Sequence, residues 1–418
     1  MPSSSNVQNA EAGAPRSREG HVAVARQAIV DEHRAVFGYK LFERPRPAAN
    51  DDDAMLFEAL GQAGTTGLAG RKTVFVHCSF ENMADGYLSV LDPDRVVLEI
   101  PTLRQYSAEG MTVRRSMLVK AREAGFQLGF DQSVLHAAYA GWLALASFVR
   151  IDSSGEEAAG IEQLVRTVRA LSGATVIAGR IDDTERYERM KRLGIKLFQG
   201  DWLSAPAQTI DPAVQASQAT VLRLINLVRE EAELDDIEEL LKKDPMLSFK
   251  LLRFINSSGF GLTTEVKSFR HAVMILGLNK LFRWATLLMT TARPGGAAPA
   301  AGTTAVVRGR LMELLALETG LSHDQCDQAF VTGVFSQLDI LLGLPLERAL
   351  SELNLPASIT DALLHGRGGW APYLSMTKAC ENGDEAVFDA AARQLGLSTW
   401  QVNGAHLQAL IWADLVEQ

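Results

Sequence analysis

The residues that could carry out chemistry in this chain are polar side chains that each end a short apolar run. One histidine, three acidic residues and one glutamine occupy such positions: His77, Glu99, Asp131, Asp152 and Gln199. In folds that alternate strands and helices, the chemistry lies at the carboxyl ends of the strands. These five side chains, together with Gly179 at an equivalent place, are therefore the candidates for a functional site.

Basic residues lie close to several of these candidates along the chain. Lys40 and Arg44 follow one apolar run, and Arg150 lies within another. If they face one pocket they would attract a phosphate, because ammonium and guanidinium groups form charge-assisted hydrogen bonds to phosphate oxygens. The alternative is that the arginines pair with Glu99 or Asp152 and serve only the structure.

The spacing of the apolar runs predicts the elements that must bring these residues together. Strands are expected at 22–29 and 35–42, and further short runs follow in KTVFVHCSF, RVVLEIP, GFQLGF, SFVRID, ATVIAG and IKLFQG. Helices are expected between them at 111–124, 156–171 and 183–193. This alternation is typical of a parallel sheet or a βα barrel. Residues 21–206 are therefore predicted to form one α/β domain, after a disordered tail at 1–20.

The composition changes near residue 207, and the later segments have the apolar periodicity of helices. Within 207–418, the central stretch DPMLSFKLLRFINSSGFGLTTEVKSFRHAVMILGL predicts two helices joined by a glycine-containing turn. Their expected apolar faces are Leu247, Leu251, Leu252 and Ile255 on the first helix and Ala272, Val273, Ile275 and Leu276 on the second. The segment RPGGAAPAAGTTA at 293–305 is predicted to be a flexible loop of low complexity.

Composition and charge exclude several classes of protein. The 418 residues carry a formal net charge of −9, which disfavours a general nucleic-acid binder. The three cysteines, Cys78, Cys326 and Cys380, form no CxxC pair, so they predict free buried thiols in a reducing cytoplasm. Neither a secretory signal nor an apolar run long enough to span a membrane is recognised, which favours a cytoplasmic protein.

The order of residues in the central helical stretch resembles the HDOD domain, an HD-related output domain of bacterial signalling proteins. The resemblance is carried by Asp-Pro, Leu-Ser, Leu-Leu-Arg, Asn-Ser, Ser-Phe, Ala-Val and Leu-Gly in that order, and it covers roughly 207–400. It implies an all-helical module that is related to metal-dependent HD phosphohydrolases but lacks their metal site.

One His-Asp pair in this region invites comparison with the metal-binding pair of the HD phosphohydrolases. His323-Asp324 follows Ser322, however, and predicts the entry to a helix over 326–342 with Asp324 as its N-cap. The segment AFVTGVFSQLDILLG resembles the metal helix of that family, and Ser336-Gln337 stand there at the His-Asp positions. No metal is therefore expected in the helical domain.

The first domain resembles the EAL family, whose active members hydrolyse cyclic di-GMP with metal ions in a modified TIM barrel. The motifs in the family's order are ARQAIVDEHRAVFGYKLFERP, FVHCSF, VVLEIP, FVRID and VIAGRIDDTERYERMKRLGIKLFQGDW. The last motif, with LG followed by FQG, is the most specific. The resemblance covers only about 21–206, so it implies a shortened barrel of this family.

The same resemblance implies that the catalytic residues are mostly replaced. Family residues of the active site fall here on Lys40 (a glutamate), His77 (an asparagine), Gly129 and Phe130 (paired aspartates), Arg150 (the catalytic lysine) and Gly179 (a glutamate). Arg44, Glu99 and Asp152 match family residues, and Asp131 lies one place late. Hydrolysis with two metals needs several carboxylates on neighbouring strand ends, and arginine is a poor proton acceptor. No catalytic residue, metal or cofactor is therefore expected.

The sequence thus predicts a shortened, modified TIM-like βα barrel followed by an all-helical HDOD domain. The expected function is non-catalytic signal transduction through contact with protein partners, in or near the cyclic di-GMP control of motility, biofilm or virulence. One alternative is a receptor that binds cyclic di-GMP without hydrolysis, through Arg44, Glu99, Asp131, Arg150, Asp152 and Gln199. Further alternatives are a residual phosphodiesterase around Glu99, Asp131 and Asp152, and a DNA-binding regulator.

Overall fold

The first half of the described chain forms a closed barrel. The computed structural model describes residues 24–43, 72–84, 86–103, 107–155, 158–200, 202, 212–243, 247, 251, 255, 269–290 and 299–416. Eight strands close in sequence order: β1 (Val24–Asp31), β2 (Val36–Glu43), β3 (Thr73–His77), β4 (Val96–Glu99), β5 (Gln127–Asp131), β6 (Phe148–Asp152), β7 (Thr175–Gly179) and β8 (Leu197–Gln199). β1 runs antiparallel to both β2 and β8, and the other neighbours are parallel.

Helices connect the parallel strands and cover the outside of the barrel. They are α1 (Phe80–Ala84), α2 (Ala108–Glu123), α3 (Ala140–Leu143), α4 (Ala158–Leu171) and α5 (Thr184–Arg192). Side-chain caps begin two of them, since Ser107 and Asp183 accept hydrogen bonds from free amides of the first turns of α2 and α5. All eight strands of a TIM-like barrel are present, so the small number of residues in this domain does not come from missing strands.

The second half of the described chain is all helical. Its helices are α6 (Pro212–Arg229), α7 (Leu234–Lys243), α8 (Phe269–Leu288), α9 (Pro299–Glu318), α10 (His323–Phe335), α11 (Leu338–Leu342), α12 (Leu346–Ser351), α13 (Ala357–His365), α14 (Ala371–Asn382), α15 (Glu385–Leu395) and α16 (Thr399–Val416). α8 is interrupted at Gly277, whose φ of 71° is left-handed. The predicted barrel followed by a helical region is therefore confirmed.

A separate apolar core fills the lumen of the barrel. It consists of Ile29, Phe75, Val97, Phe148, Ile177 and Leu197, one residue from each of six strands. The rings of Phe75 and Phe148 meet edge to face at 5.1 Å, a favoured geometry for aromatic pairs. This packed layer closes the barrel below the carboxyl ends of the strands and forms a floor for any site at that end.

Some details of the sequence prediction for the helical region are wrong. Residues 299–305 are not a loop but the first two turns of α9, where Ala300, Ala301 and Ala305 are buried. Small side chains that resemble a linker in sequence here allow close helix packing. Ile275, which the sequence predicts on an apolar face, is 37% exposed. The other expected positions within the described residues are buried: Leu247, Leu251, Ile255, Ala272, Val273 and Leu276.

Other parts of the prediction fall outside the described residues. They include the tail at 1–20, the domain boundary near 207, Leu252, the glycine-containing turn of the central stretch and the loop positions 293–298. Cys78, Cys326 and Cys380 are buried free thiols, as predicted. None of the helices in the described ranges combines the length and the apolar character that crossing a membrane requires.

Two glycines allow α9 and α10 to cross at very short distance. A Cβ added to Gly333 of α10 would lie 2.5 Å from the backbone oxygen of Arg308 and 2.7 Å from the Cα of Gly309, both in α9. Real Cβ contacts are never this short, so a side chain at this position would force the two helices apart. The crossing matters because Arg308, at its centre, is a buried charged residue.

We therefore expect Gly333→Ala to lower the free energy of unfolding by about 2 kcal/mol, since overpacking a core costs about 1–3 kcal/mol. Gly404→Ala in α16 is a matched control, because a Cβ there meets nothing within 4 Å. Alanine in a helix is more favourable than glycine by up to about 1 kcal/mol, so this control should be neutral or stabilising. Urea unfolding compares the two variants; equal stability of Gly333→Ala and the unsubstituted protein would contradict the close crossing.

Candidate functional site

The alternation of side chains along the strands brings the candidate residues to one place. Successive residues of a strand point to opposite faces, so the residue two places after a lumen residue points into the lumen again. Glu99 follows Val97 in this way, and Arg150 follows Phe148. The same spacing relates His77, Gly179 and Gln199 to the other residues of the lumen core. The carboxyl-end mouth of the barrel is therefore the site that the sequence predicted.

A carboxylate held between two cations occupies this mouth. Glu99 Oε2 lies 2.7 Å from Lys40 Nζ, and Glu99 Oε1 accepts a hydrogen bond from Arg150 Nη2. The three side chains are largely buried, with Glu99 only 12% exposed. Both carboxylate oxygens are thus engaged, and the group as a whole has one positive charge more than it has negative charges. Of the two alternatives for Arg150, pairing with Glu99 is the one observed.

The surroundings shift the pKa values of two members of this cluster. Burial by itself would raise the pKa of Glu99, but Arg150 and Lys40 outweigh it and lower the pKa below its ordinary value. Burial lowers the pKa of the Lys40 amine, Glu99 opposes this effect, and Arg150 adds to it. Glu99 is therefore ionised at neutral pH and serves as the counterion of both basic groups.

Gly179 leaves the space that the long side chain of Arg150 occupies, and Gly129 lies beside Glu99. A Cβ on Gly179 would lie 3.3 Å from the Cγ and Cδ atoms of Arg150, and a Cβ on Gly129 would lie 3.7 Å from Glu99 Cγ. The resemblance places acidic family residues at both positions. Phe130, at the other expected aspartate position, is buried 6.3 Å from the ring of Trp142 instead of facing the mouth.

The remaining carboxylates of the mouth have local structural partners. Asp131 Oδ1 accepts a hydrogen bond of 2.7 Å from the Ser133 amide and so caps the following 3₁₀ turn. Asp152 Oδ1 accepts from the amide and hydroxyl of Ser154, and its Oδ2 lies 3.4 Å from Arg180 Nε. Burial raises the pKa of Asp152, but the hydrogen bonds from Ser154 and the charge of Arg180 lower it overall.

The other predicted site residues are placed as follows. Gln199 is buried, and its Nε2 donates to Gln27 Oε1 over 2.6 Å. His77 ends β3 and is in register with Glu99 of β4. Arg44 lies outside the described residues. Of the predicted basic residues, Lys40 and Arg150 lie together, and both contact Glu99.

The residues at this mouth do not fit a divalent cation. Metal ions that activate water need several free oxygen ligands, and Glu99 is already bonded on both oxygens by internal cations. Throughout the described ranges, no group of three or more His, Cys, Asp and Glu side chains has the geometry of a metal site.

A buried cation, Arg308, lies against Ser336 and Gln337, the residues that the sequence resemblance aligns with the His-Asp pair of the HD family. The guanidinium of Arg308 donates to Ser336 Oγ over 3.0 Å and forms two-pronged bonds to Glu381 of α14. In the amide orientation that satisfies both groups, Gln337 Oε1 accepts from Arg308 Nη2 over 2.9 Å. Ser336 and Gln337 therefore act as acceptors for an arginine.

The His323-Asp324 pair begins α10, as predicted, but Asp324 is not its N-cap. Ser322 is the cap, and it forms a capping box in which Ser322 and Gln325 satisfy each other's backbone amides. Asp324 lies in the first turn and accepts from Asn279 Nδ2 over 3.2 Å. The correction follows from helix geometry, because the box requires a serine three residues before the glutamine.

Sequence reasoning missed the polar residues that face Glu381 and Gln199. Arg308 gave a signal, since it is a lone charge within the apolar pattern AAGTTAVVRG. Arg26 and Gln27 gave none, because an alternating strand does not reveal which face is covered by another domain. Glu381 is part of an ordinary helix end in sequence, and only its partners distinguish it.

Removing the carboxylate of Glu99 is expected to destabilise the protein in a pH-dependent way. Glu99→Gln should lower the free energy of unfolding at pH 7 by about 3 kcal/mol, because it leaves two buried cations without a counterion. The folded pKa of Glu99 is below the unfolded value of about 4.3, so its contribution is present above the unfolded pKa and is lost as pH falls through the folded pKa.

The difference between the unsubstituted protein and Glu99→Gln should therefore shrink in acid, which urea unfolding between pH 3 and pH 7 measures. Glu162→Gln is the matched control, since Glu162 pairs with Arg166 on the exposed face of α4. An exposed pair of this kind contributes at most about 1 kcal/mol. A loss for Glu99→Gln no larger than that of this control would contradict the buried cluster.

Two curated proteins match nearly the whole chain. "Cyclic di-GMP phosphodiesterase CdgJ" of Vibrio cholerae serotype O1 is 24% identical over 405 residues, 94% of this chain and 92% of that protein. "Uncharacterized protein YuxH" of Bacillus subtilis is 24% identical over 424 residues, 94% of this chain and 98% of that protein.

Among solved structures, the Bacillus subtilis YkuI protein, with an EAL domain and in complex with cyclic di-GMP and calcium, aligns with a TM-score of 0.36. It is 17% identical, and the alignment covers 46% of this chain and 57% of that one. Residues 213–348 of the helical region match the family model of the HDOD domain. The chain therefore contains an HDOD domain, which follows a closed barrel of eight strands.

Proposed function

We propose that this chain is a non-catalytic signal-transduction protein of cyclic di-GMP signalling, which acts by contact with protein partners. The observation that carries the proposal is the bonding of Glu99 by Lys40 and Arg150. A hydrolase of this class must hold cations that activate water, and here two side-chain cations use the carboxylate that would help to bind them.

The names of similar proteins support the choice of pathway, and one of them names a phosphodiesterase activity that we do not propose for this chain. The relative CdgJ, named a cyclic di-GMP phosphodiesterase, matches 94% of this chain at 24% identity. The activity of CdgJ depends on the residues of CdgJ. In this chain, Lys40 and Gly179 stand where the resemblance places glutamates, and Arg150 stands where it places the catalytic lysine. Arginine does not readily release its proton, so Arg150 is unsuited to accept one from water.

A signalling protein that catalyses no reaction transmits its signal by binding a protein partner. The helical region, which contains the HDOD domain, is the part of the chain that follows the barrel. Its buried polar groups, such as Arg308, are bonded within the protein, so they support packing and not a reaction. A signal would then be passed on through the helical surface.

The test is an assay of cyclic di-GMP hydrolysis by the purified full-length chain with Mg²⁺, Mn²⁺ and Ca²⁺ in turn. We expect no turnover above the rate without protein, in the unsubstituted chain and in Glu99→Gln alike. A known active EAL phosphodiesterase in the same buffer confirms the assay. Metal-dependent turnover by the unsubstituted chain would overturn the proposal, whether or not it persists in Glu99→Gln.

A second candidate function, a receptor that binds cyclic di-GMP without cleaving it, is favoured by one observation. Arg180 directly follows β7, lies 3.4 Å from Asp152 and has a side chain that is 72% exposed and a left-handed φ of 55°. An exposed arginine that keeps an unfavourable backbone conformation at the carboxyl ends of the strands is placed to meet an anionic ligand.

Titration calorimetry with cyclic di-GMP separates the two candidates. The receptor predicts binding that falls at least about tenfold in Arg180→Glu, because one attractive charge becomes repulsive. Arg166→Glu is the matched control, since Arg166 is equally exposed on the outer helix α4. We expect no binding by either variant or by the unsubstituted chain; binding that is lost only in Arg180→Glu would establish the receptor.

A further inference from the structure

The helical region packs directly on the outer face of β1 and β2. The Val24 amide donates to Asn403 Oδ1 of α16 over 2.9 Å, and the Ala300 amide of α9 donates to the Arg34 carbonyl over 3.0 Å. Gly383, at the end of α14, lies so close to Phe42 that a Cβ would be 3.2 Å from its ring. In a βα barrel a helix normally covers each strand, and here α14 and α16 perform this role for the first two strands.

A buried carboxylate lies at the centre of this contact. Glu381 Oε1 accepts from Arg26 Nη2 of β1 over 2.9 Å, and Glu381 Oε2 accepts from Arg308 Nη2 of α9 over 2.7 Å. The side chains of Arg26 and Arg308 are only 5% and 10% exposed. Burial would raise the pKa of Glu381, but Arg308 and Arg26 lower it overall, so the carboxylate stays charged.

Glu381 is the counterion that keeps Arg26 buried. The other terminal nitrogen of Arg26, Nη1, is buried and has no hydrogen-bond partner among the described residues. Arg308, in contrast, has Ser336 as a further acceptor. Moving the helical region away from β1 would leave Arg26 without an anion, and a buried charge without a partner is strongly unfavourable.

Strand β1 links this contact to the mouth of the barrel. Arg26 points outward to Glu381, and the next residue, Gln27, points into the lumen, where it accepts from Gln199. Gln27 is also the register partner of Lys40 on β2, and Lys40 bonds Glu99. A displacement of β1 therefore changes both the domain contact and the Lys40–Glu99–Arg150 cluster.

We propose that Glu381 couples the two parts of the chain, so that the position of the helical region controls the conformation of β1 and of the barrel mouth. In the closed state Glu381 is shared by Arg26 and Arg308. In the open state Arg26 is released to solvent, and β1 and β2 lose the helices that cover them. The coupling does not depend on whether the barrel binds a ligand.

Hydrogen exchange of the full-length protein, read by mass spectrometry, tests the proposal in Glu381→Gln. We expect amides of 24–43 to exchange faster by on the order of a hundredfold, because removing one partner of a buried ion pair strongly favours opening. Glu313→Gln is the matched control, since Glu313 is a carboxylate shared by Arg283 and Arg310 within the helical region. It should loosen helices and leave 24–43 unchanged.

Arg26→Met provides a second variant in case Glu381→Gln does not fold. It keeps the Glu381–Arg308 pair, so the helices should stay protected while 24–43 exchange faster. Unchanged exchange of 24–43 in Arg26→Met, or equal acceleration in Glu313→Gln, would overturn the proposal. In either case the hydrolysis and binding assays above keep their outcome, so a failure here is distinct from a failure of the proposed function.

Discussion

The structure depends on one kind of interaction, a buried carboxylate shared by two basic side chains, at two places that join separate elements. Glu99 is held by Lys40 and Arg150 at the mouth of the barrel, and Glu381 by Arg26 and Arg308 between the barrel and the helices. Removing a carboxylate from water is unfavourable unless several donors surround it. Two cations around each carboxylate satisfy this requirement.

In both clusters the positive charge beside the carboxylate comes from side chains of the protein itself. In the barrel, the ammonium group of Lys40 supplies a positive charge beside Glu99; in the helical region, the guanidinium of Arg308 bonds Glu381 and lies against Ser336 and Gln337. A side-chain cation balances the charge of the carboxylate but offers no open coordination position.

The second cluster also explains why barrel and helices belong together. Because only a turn at 32–35 joins β1 to the antiparallel β2, the connection between these strands provides no helix to cover the outer face of β1. α14 and α16 supply that cover, with Asn403 and Glu381 bonding the strand. The helical region is thus part of the packing of the barrel, and a displacement of the helices changes the packing of β1.

The order of strands and helices and most of their positions could be predicted from the sequence, because they follow from period-2 and period-3.6 patterns of apolar residues. The residues at the barrel mouth could be predicted as well, because they end the predicted strands. The tertiary structure alone decided which charges meet. The pairing of Glu99 with Lys40 and Arg150 joins residues of three separate strands, and that of Glu381 with Arg26 joins residues far apart in the chain. The same physical reason explains the error at 299–305, since small residues form a loop or a tightly packed helix according to the surface they meet.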